Sequence, residues 1–377
     1  MARVQLRTWE DVEDFVYGVS ILGTGGGGRP ELGLSILRKS LDDGLTLGWD
    51  DVDSLPEDSH TACIWYMGSI APVGKSRAGE FLKFRDKVFP TPLVQAARML
   101  EELTGTKIDG VVALEMGGSN STAVVDAAAR LGVTCVDGDY AGRAVPEIVQ
   151  IKPAIDGARL VPIAVCDQWG NKVYIVDSPT VEGAEALGKM VSTVTKAPES
   201  TTLCGHAGVL LTKADSRKSL APGTFTRAGR LGKSIREARN AGKDPVEAAA
   251  SFLGGWAVFA GVVKSMTWES RDGYMYGETH IEGTGRYIGK RCRVWYKNEN
   301  HGLWVDDRLL ATSPDIITIL YEDGLPTNNS TLKEGQRVGV VASPNQAFRT
   351  EAALAVLGPA HFGLGEKYIP VENLIGV

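Results

Sequence analysis

No run of apolar residues in this sequence is long enough to cross a bilayer: the longest, residues 256–263, falls far short of the ~20 residues a membrane helix needs. Residues 1–11 also lack the apolar stretch of a secretory signal, so a soluble, cytoplasmic protein is expected. No block of Lys and Arg occurs, and 40 basic against 46 acidic residues leave a net charge of −6. A mildly acidic chain without a basic patch argues against nucleic acid or an anionic membrane as partner and leaves a small-molecule ligand. Homo-oligomerisation stays open at this level.

Cysteine is scarce too. The five thiols, Cys63, Cys135, Cys166, Cys204 and Cys292, show no CxxC spacing, and an odd number in a chain expected to be unsecreted fits reduced thiols better than disulfides. There is no Walker loop, no H-E-x-x-H, no G-x-S-x-G and no kinase motif set, which counts against nucleotide hydrolysis, metallopeptidase and serine hydrolase chemistry. What remains is ordinary globular material. Hydrophobic residues at 43% and charged residues at 23% exclude disorder, collagen and coiled coil, and 377 residues suffice for two domains with a real core.

Glycine is in excess: 45 of 377 residues, about 12% against a usual ~7%, gathered in runs. The run from Gly23 to Gly28 lies between two predicted helices. Thr8 and Asp11 approach a capping box ahead of a helix over 9–19, and Pro30 occupies the first position of a helix whose Leu34, Leu37 and Leu41 share a face. Apolar runs at 61–67, 111–114 and 133–136, with helical patterns between them, read β-α-β-α-β, and residues 161–176 read as a hairpin. From about residue 256 the texture becomes β-rich. The predicted fold class is α/β plus all-β. It comprises an N-terminal three-layer α/β domain with a mostly parallel sheet over 1–250, a β-barrel-like domain over 251–348, and a segment at 349–377 packing back onto the first.

Gly23, Gly25 and Gly28 spell G-x-G-x-x-G, but a helix precedes them and no acidic residue closes a following strand, so a dinucleotide site fits poorly. The consecutive N–H groups of Gly25, Gly26, Gly27 and Gly28 suit a carboxylate or oxyanion; the plain alternative is a tight turn needed only for packing. Glu115 and the Asp137-Gly138-Asp139 triplet follow predicted strands, at the edge where open α/β sheets bind ligands. As neighbours, Glu115 and Asp139 would shift a carboxyl pKa toward acid–base use, or bind a metal; helix capping by Asn120 and Asp139 is the bland account. Arg143 offers its fork to a substrate carboxylate or to an internal clamp on Glu147 or Asp139. Cys204 and His206 lie two apart in an extended segment and point to one side, a two-ligand pair for Zn²⁺ that needs a third ligand such as Asp137 or Asp139. His301 and His361 are read as solvated or as reaching the cleft.

Four stretches carry a family resemblance: L-G-T-G-G-G-G at 22–28, E-x-G-G-x-N at 115–120, D-G-D-x-x-G-R-A-x-P-E at 137–147, and Asn298 to Asn300 with Pro314-Asp315 and Gly358-Pro359 after it. Over nearly its full length the chain resembles the family named after S-methyl-thiohydantoin desulfurase, often encoded near hydantoinase and oxoprolinase proteins. The resemblance implies an α/β domain followed by a β-barrel-like one. It also implies zinc-dependent hydrolysis of a small five-membered cyclic amide-like ring, in which an S-methylated thiohydantoin of ergothioneine breakdown releases methanethiol and leaves a hydantoin. In that scheme Asp139 or Glu115 moves protons, and Arg143 with the amides of Gly25, Gly26, Gly27 and Gly28, and Asn120 beside them, holds the substrate. Cys204, His206 and Asp137 hold zinc. Tyr140-Ala141 stands where Gly-Met is expected in many relatives. Two other readings compete: a non-catalytic accessory or binding subunit of a hydantoinase- or oxoprolinase-type enzyme, and a dinucleotide-dependent oxidoreductase.

Overall fold

The computed structural model describes residues 4–71, 91–195 and 204–375, so residues 1–3, 72–90, 196–203 and 376–377 of the expected domains lie outside it. The helix Trp9–Leu22 opens on a complete capping box, Thr8 accepting from the Asp11 N–H and Asp11 accepting from the Thr8 N–H. The helix Pro30–Asp42 starts on its proline, and Leu37 is its buried anchor.

Two short strands, β1 (Val4–Gln5) and β2 (Gly48–Trp49), pair at the edge of the molecule. β3 (His60–Met67), β4 (Gly110–Ala113), β5 (Thr134–Asp139), β6 (Ile163–Cys166), β7 (Lys172–Ile175), β8 (Cys204–Thr212) and β9 (Ala221–Pro222) form a seven-stranded sheet in the order β7-β6-β8-β3-β4-β5-β9. β3, β4 and β5 run parallel because helical crossovers, Pro92–Thr104 and Asn120–Leu131, connect them. Every other pairing is antiparallel. The expected mostly parallel sheet is therefore a mixed one: β6 and β7 form the predicted hairpin, and β8 enters reversed between β6 and β3.

Side-chain alternation sends Ala62 and Ile64 of β3 into one core and Cys63, Trp65 and Met67 into another. The first core is covered by the helices Trp9–Leu22, Pro92–Thr104, Asn120–Leu131 and Thr224–Asn240. The second is covered by residues 140–151 and by Phe348, Ala353 and Leu357 around the helix Glu351–Leu357. The sheet is thus the middle of three layers.

β10 (Trp256–Arg271), β11 (Tyr274–Gly283), β12 (Arg291–Lys297), β13 (Glu299–Val305), β14 (Arg308–Thr312), β15 (Ile316–Tyr321) and β16 (Arg337–Ser343) form an antiparallel sheet in the order β14-β13-β12-β11-β10-β16-β15. The sequence patterns do not single out β13 and β14. This sheet curls into a half barrel around Phe259, Val294, Leu303 and Val340, and the Asn300 amide donates to the Ile317 carbonyl (3.1 Å), joining β13 to β15 across the curl. The glycine run sits between the two sheets: the Asn300 N–H donates to the Thr24 carbonyl (2.8 Å) and the Asn329 N–H to the Gly25 carbonyl (2.9 Å). Among the described residues no helix is long and apolar enough to cross a membrane.

Candidate active site

The carboxyl ends of β3 and β4 open onto a cavity of about 300 Å³, lined also by Gly27, Gly28 and Ser119, by Glu147, Glu185 and Lys189, and by Asn298 and Glu299 from the second sheet. That volume suits a small-molecule ligand. Trp65 Nε1, Ser119 Oγ and Glu299 Oε2, each on a residue facing this cavity, are buried without a hydrogen-bond partner among the described residues. Buried polar atoms are ordinarily paired, so three unpartnered ones on residues lining one cavity set this wall apart.

Glu115 is the best-held carboxyl there. Its Oε1 accepts from the Asn120 amide and its Oε2 from the Val145 N–H, both at 2.7 Å, while Asn120 turns its own carbonyl oxygen to the Tyr66 N–H (2.9 Å). Asn120 therefore orients a carboxylate rather than capping its helix. Burial raises the Glu115 carboxyl to about 7, against the lowering by those two donors. Glu299 follows the turn at Asn298, whose φ is +57° and whose side-chain oxygen accepts from the Met275 N–H. Burial and the Glu115 charge push the Glu299 carboxyl well above its ordinary value. The sequence reading quotes Asn298-Glu299-Asn300 as a motif without giving Glu299 a role; the signal available was a carboxylate between two asparagines at a strand start.

The other predicted residues are placed differently. Asp139, expected to be catalytic, does not line the cavity. It is fully buried and accepts from the Ala141 and Gly142 N–H groups (3.0 and 2.7 Å) and the Thr224 hydroxyl (2.8 Å), holding the turn that ends β5; burial raises its carboxyl to about 7. Arg143 is also buried away from the cavity and donates to the carbonyls of Ala144, Asp315 and Asn300 and to Thr24 Oγ1, at 2.8–3.0 Å. It is an internal clamp, though on carbonyls instead of Glu147 or Asp139. Of the four glycines, Gly27 and Gly28 line the cavity while Gly25 packs on Asn329 and Gly26 on the Glu299 carboxyl.

The expected zinc ligands do not converge. Cys204 and His206 do share a side of β8, but the Asp137 carboxylate accepts from the N–H and hydroxyl of Thr226. The thiol is pushed up to about 12 by burial, which keeps it protonated, and His206 binds the Cys204 carbonyl through Nδ1 and stacks on Trp65. Zinc takes three or four protein ligands, and no three His, Cys, Asp or Glu stand close enough to hold one ion among the described residues.

The far end of the cavity is ionic. Lys189 pairs with Glu185 (3.0 Å) and lies over the Tyr274 ring (3.2 Å). Glu147 binds Lys297 (2.7 Å) and His361 (2.6 Å); burial raises its carboxyl, but the two partners outweigh that and bring it to about 2. His361 thus reaches the cavity wall. His301 is buried against the Phe362 ring (3.8 Å).

A cavity lined by several carboxylates thus lies between a mixed α/β sheet and a curled antiparallel sheet. The chain belongs to the S-Me-THD-like family, whose N-terminal domain matches residues 10–177 and C-terminal domain residues 184–371. No curated protein matches the chain. Among solved structures, the X-ray structure of a protein from Chromobacterium violaceum is similar with a TM-score of 0.75 at 24% identity, covering 98% of this chain and 100% of that one, a likeness of fold alone.

Proposed function

We propose that this protein is a hydrolase of a small five-membered cyclic amide-like ring, with an S-methylated thiohydantoin as substrate. The observation that carries the reading is Glu115, a buried carboxyl poised near 7 by its surroundings, in a cavity lined by Trp65 and Ser119, whose Nε1 and Oγ are buried and unpartnered among the described residues. The family assignment supports the substrate class.

Glu115 takes a proton from water as the water oxygen bonds to the ring carbon bearing sulfur. The C=N electron pair moves to the ring nitrogen, which gains a proton. The tetrahedral centre then gives up its hydroxyl proton and collapses to C=O as the C–S bond breaks and the electron pair leaves on sulfur, which also gains a proton. One water is consumed, and its two hydrogens end on the ring nitrogen and on methanethiol. Trp65 Nε1 and Ser119 Oγ donate to the ring's polar edge. Because Cys204, His206 and Asp137 do not fit a zinc ion, no step is assigned to a metal.

Mixing the purified protein with an S-methylated thiohydantoin, with and without a chelator, tests this reading. Free thiol and hydantoin are expected in equal amounts, and the chelator arm reads metal dependence independently. Absence of both products, with the protein co-purifying with a hydantoinase-type enzyme, overturns it in favour of an accessory subunit.

A further inference from the structure

We propose that Glu299 is a second catalytic carboxyl in this cavity, the proton donor to the departing sulfur, so that the enzyme is built for basic, alkylthio leaving groups. The inference rests on the hydrolytic reading above.

Three observations converge on this residue. Glu299 is 2% exposed and lines the same cavity as Glu115, but arrives from the second sheet. Its Oε1 packs on Gly26, where any Cβ would overlap it, so the absence of a side chain at residue 26 makes room for the carboxyl. Its Oε2 has no hydrogen-bond partner among the described residues. The Gly27 and Glu299 backbone N–H groups favour its charge, as two donors do for Glu115, yet Oε2 stays unpartnered, and a buried carboxyl with one unpartnered oxygen is what a protonated acid leaves when no acceptor is beside it. The charged groups facing it are Glu115, which disfavours a second negative charge, and Arg143, which favours one; burial outweighs Arg143 and the two backbone donors and holds the group protonated. Two carboxyls lining one cavity, one held near 7 and the other pushed well above its ordinary value, divide base and acid work between them.

In the collapse step the Glu299 O–H bond breaks as the S–H bond forms and the C–S pair settles on sulfur. The resulting Glu299 carboxylate regains a proton as Glu115 loses the one taken from water, so the cycle closes without any other reactant.

The test compares the methylthio substrate with its 2,2,2-trifluoroethylthio analogue, whose thiolate is a better leaving group of small size. Glu299→Gln is expected to lower methylthio turnover by roughly 10²-fold or more and trifluoroethylthio turnover by less than about tenfold, whereas Glu115→Gln lowers both. Wild-type protein gives a second reading without any variant: turnover of the methylthio substrate falls on the alkaline side, and that of the analogue does not. Equal losses on both substrates, or no loss, in a folded Glu299→Gln variant overturns the proposal, as does an alkaline limb shared by both substrates. Failure of wild-type protein to release thiol from either substrate removes the hydrolytic reading itself, a result distinct from those.

Discussion

Glu115 receives two short hydrogen bonds, which favour its charge, yet burial still holds the carboxyl near 7. A base must be ionised to act, so kcat/KM is expected to rise as the pH rises through about 7, and Glu115→Gln to lower kcat roughly 10²–10⁴-fold with the melting temperature little changed. Asp139 carries a similar raised carboxyl for a different purpose, since all its bonds go to one turn and to Thr224. Asp139→Asn places an amide against those donors and is expected to cost about 1–3 kcal/mol in urea unfolding, with the folded enzyme's turnover within ~tenfold of wild type. A variant of full stability with no turnover would restore Asp139 to the catalytic set. Both carboxyls were legible as residues at strand ends, because position in a β-α-β pattern fixes the edge they occupy. Which one faces the ligand was not, because that depends on how the turn after β5 folds back on Thr224, 85 residues later in the chain.

At the scale of elements, the glycine run is a wedge between two sheets. Gly27 has φ +65°, and a Cβ on it would lie 2.5 Å from the Gly117 Cα and 2.6 Å from the Met116 carbonyl oxygen, both backbone atoms that cannot move aside. Gly27→Ala is expected to destabilise the fold by ~2 kcal/mol or more in urea unfolding and to abolish thiol release, by pushing the Glu115 loop from the run. The capping box at Thr8, the proline start at Pro30 and the hairpin at 161–176 could be read from the sequence because their causes are local. The reversed entry of β8 could not, because a short apolar run looks the same in either direction. The Cys204 and His206 pair illustrates the same limit: their spacing put them on one side of a strand, and only the packing reveals that no third ligand stands there among the described residues. Arg143 was legible as a lone cation in a stretch of acids and glycines, but its carbonyl partners Asn300 and Asp315 lie in and beside the other sheet.

Across the whole molecule, Glu147 ties Lys297 of the second sheet and His361 of the closing segment to the wall of the cavity. Its carboxyl is lowered from the ordinary 4.5 to about 2, so its contribution to stability is present above the unfolded value and is lost as the pH falls through the folded one. Glu147→Gln is therefore expected to melt below wild type at neutral pH, with the gap closing as the pH drops from about 5 toward about 2. A gap independent of pH would mean that the ion pairs contribute nothing.

The interleaving of the two matched regions also constrains how such a chain can be inherited. β8 belongs to the region at 184–371 but pairs with β3 and β6 of the region at 10–177, and the cavity takes Glu115 from one and Glu299 from the other. The first 177 residues alone leave β3, β5 and β6 each without a strand partner that the native sheet provides. Separating one region from the other would therefore remove both a sheet strand and one of the two carboxyls at once.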